Sequence, residues 1–225
     1  MTTTRVSRAA YHHGDLPNAL ADAATDLARS GGPEAVVLRE AARRVGVSAA
    51  AAYRHFAGHG DLLLAAKLRA LAALASAMQE GLDSAGPRPG PPDTAIRRFR
   101  NLGSAYVSFA LSQPGLFHTA FCRVDDISAA VAATPGIGGS VAEQIEASRP
   151  YQILSESLDE LVAVGLLGPA RRELAPIAFW SSVHGLATLL VDGPLAGLTE
   201  HQRAGAIQKT LDVLIDGIRC PPPSA

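Results

Sequence analysis

The chain has 225 residues, 48% of them hydrophobic, which suffices for one large domain or two modest ones around a substantial core and excludes a disordered chain. Twenty Lys and Arg against 21 Asp and Glu give a formal net charge of −1, which excludes a globally basic nucleic-acid coat protein, so any basic surface must be local. No run approaches the roughly 18 apolar residues of a membrane span, and the start (Met1-Thr2-Thr3-Thr4-Arg5) lacks the apolar core of a secretory signal.

Cys122 and Cys220 stand far apart without metal-ligand spacing. The expectation is therefore a cytoplasmic protein with reduced thiols, no metal, no cofactor and no membrane partner. The charge is unevenly spread: residues 1–69 hold nine basic and six acidic residues, a net of +3, while residues 70–225 hold eleven and fifteen, a net of −4. A mildly basic head on an acidic body fits a polyanion-binding segment, although +3 over 69 residues is also ordinary scatter.

Ala and Leu recur at three-to-four spacing from end to end and strand-like alternation is short, which predicts an all-α protein. The first helix opens at Asp15, a candidate N-cap, tolerates Pro17 in its first turn, carries Leu16, Leu20, Ala23, Ala24 and Leu27 on one stripe, and stops at Gly31-Gly32-Pro33. A short helix follows from Leu38 to Val45 and stops at Gly46; a third is capped by Ser48 and runs to Phe56. Asp61 opens a long helix that fades near Gly81 and includes Leu64, Leu68, Leu71 and Met78. The Pro/Gly-rich stretch 84–92 is a surface connection. Further helices are predicted at about 93–111, 116–123, 141–164, 169–191 and 199–219, with a flexible 134–139 stretch and a disordered tail at 221–225.

Two short helices joined by a Gly-containing turn form a helix-turn-helix, whose second helix enters the DNA major groove; such triplets of helices also occur in proteins that never meet DNA. The segments Tyr11-His12-His13-Gly14-Asp15-Leu16, Leu38 to Ser48 and Ala52-Tyr53-Arg54-His55-Phe56 make the likeness specific. They resemble the N-terminal domain of bacterial TetR-family transcriptional regulators, in the branch that opens with a YHHGDL box. Downstream, Ala105 to Leu111, Pro114-Gly115-Leu116-Phe117 and Trp180-Ser181-Ser182-Val183-His184-Gly185-Leu186 resemble the C-terminal domain of that branch. The resemblance spans about residues 11–220. It departs from the family at Pro17, at Val37 in place of a Ser or Thr cap, at Ala52 in place of Leu, and near His59-Gly60, where Lys is usual. A less stable or looser head is the expected consequence.

The resemblance implies a DNA-binding domain at residues 1–57, with an arm at 1–13, and a ligand-sensing and dimerisation domain at 58–220. It points to a ligand-responsive regulator, a repressor released from double-stranded operator DNA by a small apolar or amphipathic effector. The expected DNA contacts are Arg5 and Arg8 on the arm, Arg39, Arg43 and Arg44, and Ser48, Ala49, Ala50, Tyr53, Arg54 and His55 around the third helix. Because Ala49 to Ala52 present methyl groups, bidentate base contacts are scarce and direct readout is thin. An abundance of Arg over Lys, 18 to 2, favours planar contacts to phosphate.

Aromatic residues cluster in the body, the usual build of a small-molecule pocket, although ordinary core packing is the commoner role for each. Phe99, Tyr106, Phe109, Phe117, Phe121, Tyr151 and Trp180, with Met78 and His184, form the candidate effector pocket. A homodimer is expected through Phe179, Val183, Leu186 and Leu190 of one helix and Ile207, Leu211, Leu214 and Ile218 of the last. No catalytic site is expected: His12-His13, His118 with Cys122, and Asp125-Asp126 are the only constellations to weigh, and none carries the accompanying groups that a nucleophile or metal requires. The competing reading is a helical scaffold that keeps the fold with little sequence-specific DNA binding.

Overall fold

The structure is a computed structural model, which describes residues 15–133 and 141–219. Twelve helices and no strand are found among the described residues. The head begins with α1 (Leu16–Gly31), whose Leu20, Ala24 and Leu27 turn inward. Asp15 does not cap the backbone; its carboxylate instead accepts from Asn18 Nδ2 at 2.6 Å. Gly32, at φ 72°, ends the helix and returns its N–H to Ala28 O.

A 3-10 turn, Pro33–Ala35, leads to α2 (Leu38–Val45), which starts at Val37 with no side-chain cap. Gly46 adopts the left-handed conformation at φ 81°, and Val47 N–H reaches back to Ala42 O at 3.0 Å, which stops α2 abruptly and aims the chain into α3 (Ala49–Tyr53). Ser48 caps α3 by accepting from Ala51 N–H at 3.2 Å. The third helix therefore ends three residues before the expected Phe56. Ala41, Ala42 and Ala52 are all but fully buried where α2 and α3 meet, so small side chains on both helices allow close approach.

The body is organised around α4 (His59–Asp83), which packs against α1, α5 (Pro92–Ser112), α6 (Pro114–Phe121) and α9 (Arg149–Ala163). Short α7 (Ala129–Ala132), α8 (Val141–Ala147) and α10 (Pro169–Arg172) stand between the longer helices in the chain, and α11 (Ala175–Val191) and α12 (Glu200–Arg219) lie against α5. Two long helices expected from periodicity are each broken. Pro150 stands in the first turn of α9 and Pro176 in the first turn of α11; a proline has no N–H to continue a helix and its ring clashes with the preceding turn, so each begins a new one.

One apolar core runs without interruption from Leu20 in α1 to Ile215 in α12. Buried Arg98 secures the connection after α4: Nη1 donates to Leu82 O (3.1 Å) and Gly86 O (2.7 Å), and Nε to Glu160 Oε2 of α9 at 3.3 Å. No helix among the described residues is long and apolar enough to cross a membrane.

Candidate functional sites: a basic helical face and a buried cavity

On the head, Arg39, Arg43, Arg44, Ser48, Ala50, Tyr53, Arg54 and His55 are exposed together around α2 and α3, and Ala49 is half-buried beside them. Arg5 and Arg8 lie outside the described residues. The structure adds Glu40, which sequence reading passed over. Arg43 holds its carboxylate with two bonds (Nη2 to Oε1, 2.6 Å; Nε to Oε2, 2.8 Å), and Arg44 Nε approaches Oε1 at 3.3 Å. The hydrogen bonds from Arg43 pull the Glu40 carboxyl down to about 2, so it stays ionised and offsets part of the basic face. Its i,i+3 and i,i+4 spacing to the two arginines was the available signal.

In the body, a cavity of about 410 Å³ opens between α4, α5, α9, α11, α12 and the segment after α6, a size that suits a small organic ligand. Of the residues expected there, Met78, Phe99, Tyr106, Phe121, Tyr151 and Trp180 line it, whereas Phe109, Phe117 and His184 do not. Phe109 and Phe117 are core residues, 7% and 3% exposed. His184 sits behind the wall: Trp180 Nε1–H donates to the Tyr106 oxygen at 3.3 Å, and the Tyr106 hydroxyl lies 2.8 Å from His184 Nδ1. Phe117 and Phe121 flank the imidazole, with ring centroids at 5.2 and 4.7 Å.

Burial depresses the His184 pKa below its ordinary value of 6.5 and raises that of the Tyr106 hydroxyl, so a neutral imidazole shares a hydrogen bond with an un-ionised phenol. The unfolded chain binds the proton more readily than the folded one. Stability from this group is therefore complete above about pH 6.5 and is lost as the pH falls from there through the folded value. Thermal melts are expected to show a lower Tm at about pH 5 than at about pH 7.5, with a smaller gap in His184→Gln; an unchanged gap would remove His184 as its source.

The residues expected at a dimer interface are divided. Phe179, Val183 and Leu211 line the cavity, Leu186 and Leu190 are 8% and 1% exposed, Ile207 and Leu214 are half-buried, and the side chain of Ile218 lies outside the described residues. Phe179 turns inward because it meets Phe99 of α5 edge-on, ring centroids 4.4 Å apart. The outward apolar residues are instead Ile177 and Leu189 of α11 and Val213 of α12, which are 51%, 41% and 72% exposed.

Three contacts join the cavity to the head. Asp61, 5% exposed in the first turn of α4, accepts from Ala57 N–H (3.2 Å) just behind α3 and from Ser128 N–H (2.8 Å) at the end of the segment that follows α6. Lys67 Nζ donates to Cys122 O at the start of that segment, at 2.7 Å. At the other end of α6, Gly115 abuts the last turn of α1, where a Cβ would run into Ala28 O and stand 2.7 Å from Arg29 O. His118 and Cys122 do not form a pair: Nε2 of the first meets Asp192 Oδ2 at 2.7 Å and Sγ of the second donates to Thr119 O. Among the described residues no three His, Cys, Asp or Glu side chains converge as a metal site would need.

The family described as "Tetracyclin repressor-like, C-terminal domain" matches residues 99–214, and "Bacterial regulatory proteins, tetR family" matches residues 20–66. No curated protein matches the chain significantly. Among solved structures, a protein of unknown function from Rhodococcus sp. RHA1 is 26% identical, with a TM-score of 0.70 over 93% of this chain and 98% of that one. The TetR family transcriptional regulator PfmR from Thermus thermophilus (19% identity, TM-score 0.56, 88% of this chain and 97% of that one) shares the fold. So does a TetR family transcription regulator from Marinobacter aquaeolei VT8 (17% identity, TM-score 0.58, 90% and 94%).

Proposed function

Because the chain belongs to the TetR family of bacterial regulatory proteins, we propose that it is a homodimeric, ligand-responsive transcription regulator of the cytoplasm, a repressor that a small apolar or amphipathic effector releases from double-stranded operator DNA. It is a binding protein, not an enzyme. The observation that carries the reading is a cavity of about 410 Å³ whose wall includes Cys122 and Ile127, part of the segment that Asp61 ties to the junction behind α3. An effector that prefers a different position of this segment shifts the population away from the DNA-binding arrangement, by no more than its own preference between the two.

In this reading residues 1–57 bind DNA and residues 58–220 sense ligand and dimerise. One short recognition helix per protomer reads too little DNA alone, so two are needed about 34 Å apart. The exposed Ile177, Leu189 and Val213 supply an apolar face on α11 and α12 for the second copy. Arg39, Arg43, Arg44, Tyr53, Arg54 and His55 reach phosphate, while the methyl groups of Ala49 and Ala50 meet thymine methyls, which gives short, degenerate operators read largely by shape.

The same methyl groups favour the competing scaffold reading, and DNA binding separates the two. Fluorescence anisotropy with the DNA upstream of the protein's own gene is expected to show binding at low salt, with log K falling linearly against log salt. Glu40→Gln frees Arg43 and Arg44, and is expected to bind more tightly with a slope steeper by about 0.9 for each further phosphate neutralised. Absence of binding at every salt concentration would leave the scaffold; an unchanged slope in Glu40→Gln would take Arg43 and Arg44 off the phosphates.

A further inference from the structure

Leu64, Lys67, Leu68, Leu71 and Met78 follow one another along the face of α4 that borders the cavity, so a lysine interrupts an otherwise apolar wall. Lys67 and Met78 stand eleven positions apart, about 16 Å along the helix. The charge therefore sits toward one end of a long slot, while Met78 and Phe99 stand toward the other.

Three formally charged residues line the slot: Lys67, Arg123 and Asp125. Arg123 and Asp125 reach solvent, their side chains 93% and 77% exposed, and face each other at 3.8 Å. Lys67 is half-buried, and among the described residues no carboxylate acts on it: burial depresses its pKa, and only Cys122 opposes that shift. An ammonium has three donors, and the one bond assigned to it runs to the Cys122 carbonyl. A partly desolvated cation with a neutral acceptor costs stability that an anion would return.

Resting on the sensor reading above, we propose that the effector is an amphipathic monoanion, with a carboxylate- or sulfonate-type head on Lys67 and an apolar body laid along α4 toward Met78 and Phe99. The head competes with the Cys122 carbonyl for the ammonium. Binding thereby loosens the start of the segment whose end Asp61 holds, so the recognition of charge and the signal to the head share one contact. Cationic amphiphiles are repelled, and neutral ones of the same shape bind without engaging Lys67.

The chain's one tryptophan, Trp180, lines the cavity, so its quenching reports a naphthalene dye bound there. The probes are 1-anilinonaphthalene-8-sulfonate, an anion, and N-phenyl-1-naphthylamine, its neutral counterpart. The wild type is expected to prefer the sulfonate by about tenfold, Lys67→Met to lose about tenfold for the sulfonate while keeping the neutral dye, and Lys67→Arg to restore most of the preference. Equal sulfonate binding by wild type and Lys67→Met overturns the proposal, as does an equal loss for both dyes, which would make Lys67 a structural tether. Quenching by neither dye overturns the sensor reading itself, and the charge preference with it.

Discussion

Gly115→Ala is expected to destabilise the protein by about 3 kcal/mol, at the upper end of the range for overpacked sites, with Gly115→Val worse. Pro114 and Gly115 form the first turn of α6 and rest on the carbonyl end of α1, where the added Cβ would overlap Ala28 O and press on Arg29 O at 2.7 Å. These are backbone atoms of a helix whose last turn is already fixed by the Gly32 N–H on Ala28 O at 2.8 Å. They cannot swing aside as the end of a side chain would, so α6 must lift as a body. A chain of this size should lose about 6–12 °C in Tm. Because α1 carries the head and α6 ends at Phe121 on the cavity wall, operator affinity should also fall by tenfold or more at temperatures where both forms are folded. A variant with wild-type Tm and affinity would show that α1 and α6 move independently.

Local signals explain which parts of this architecture the sequence announced. The α2 boundaries and the turn into α3 follow from Gly46, which alone at that point accepts a left-handed backbone, and from Ser48, whose hydroxyl caps Ala51 N–H. The end of α3 carries no such mark: Ala49 to Ala52 would extend as a helix as readily as stop, yet the chain leaves the helix at Arg54, and Asp61 holds the Ala57 N–H of the turn that follows. Pro150 and Pro176 were readable as helix starts, yet each lies within an unbroken apolar periodicity that argues for continuation.

The sites divide along the same line. Aromatic residues at helical spacing located the cavity, because a bundle that buries Tyr106 and Trp180 must also satisfy their polar tips. Periodicity did not reveal that Phe117 and His184 stand behind the wall, since residues on adjacent helical faces look alike until a partner helix is placed. The same ambiguity sent Phe179 and Val183 to an interface in the reading and to the cavity in the structure. Glu40 and Lys67 were missed for the opposite reason: a charge beside arginines or within a leucine stripe reads as a solvated face, and only three-dimensional neighbours distinguish a clamp or an anion receptor from it.

Asp61→Ala is expected to separate sensing from response while costing about 3 kcal/mol. The carboxylate accepts two backbone N–H groups, from Ala57 at 3.2 Å and Ser128 at 2.8 Å, and is 5% exposed. Bonds to a charged group contribute about 1.5–3 kcal/mol each, and the half-buried Ser128 regains part of its loss from water, which brings the total to about 3 kcal/mol. Gly60 lets the segment lie directly on α4, with Asp126 O 2.6 Å from where a Cβ would be. Asp61→Asn keeps one acceptor and turns an amide donor toward the other N–H, so it should fall between the wild type and Asp61→Ala. Lys67 and the apolar slot are untouched by either change, and dye binding followed through Trp180 should persist in both. Release of operator DNA by a ligand that fills the cavity should instead require higher occupancy or fail, because the segment moved by the ligand no longer pulls on the junction behind α3. If Asp61→Ala releases DNA at the same ligand concentrations as the wild type, the signal travels through α6 and Gly115 alone.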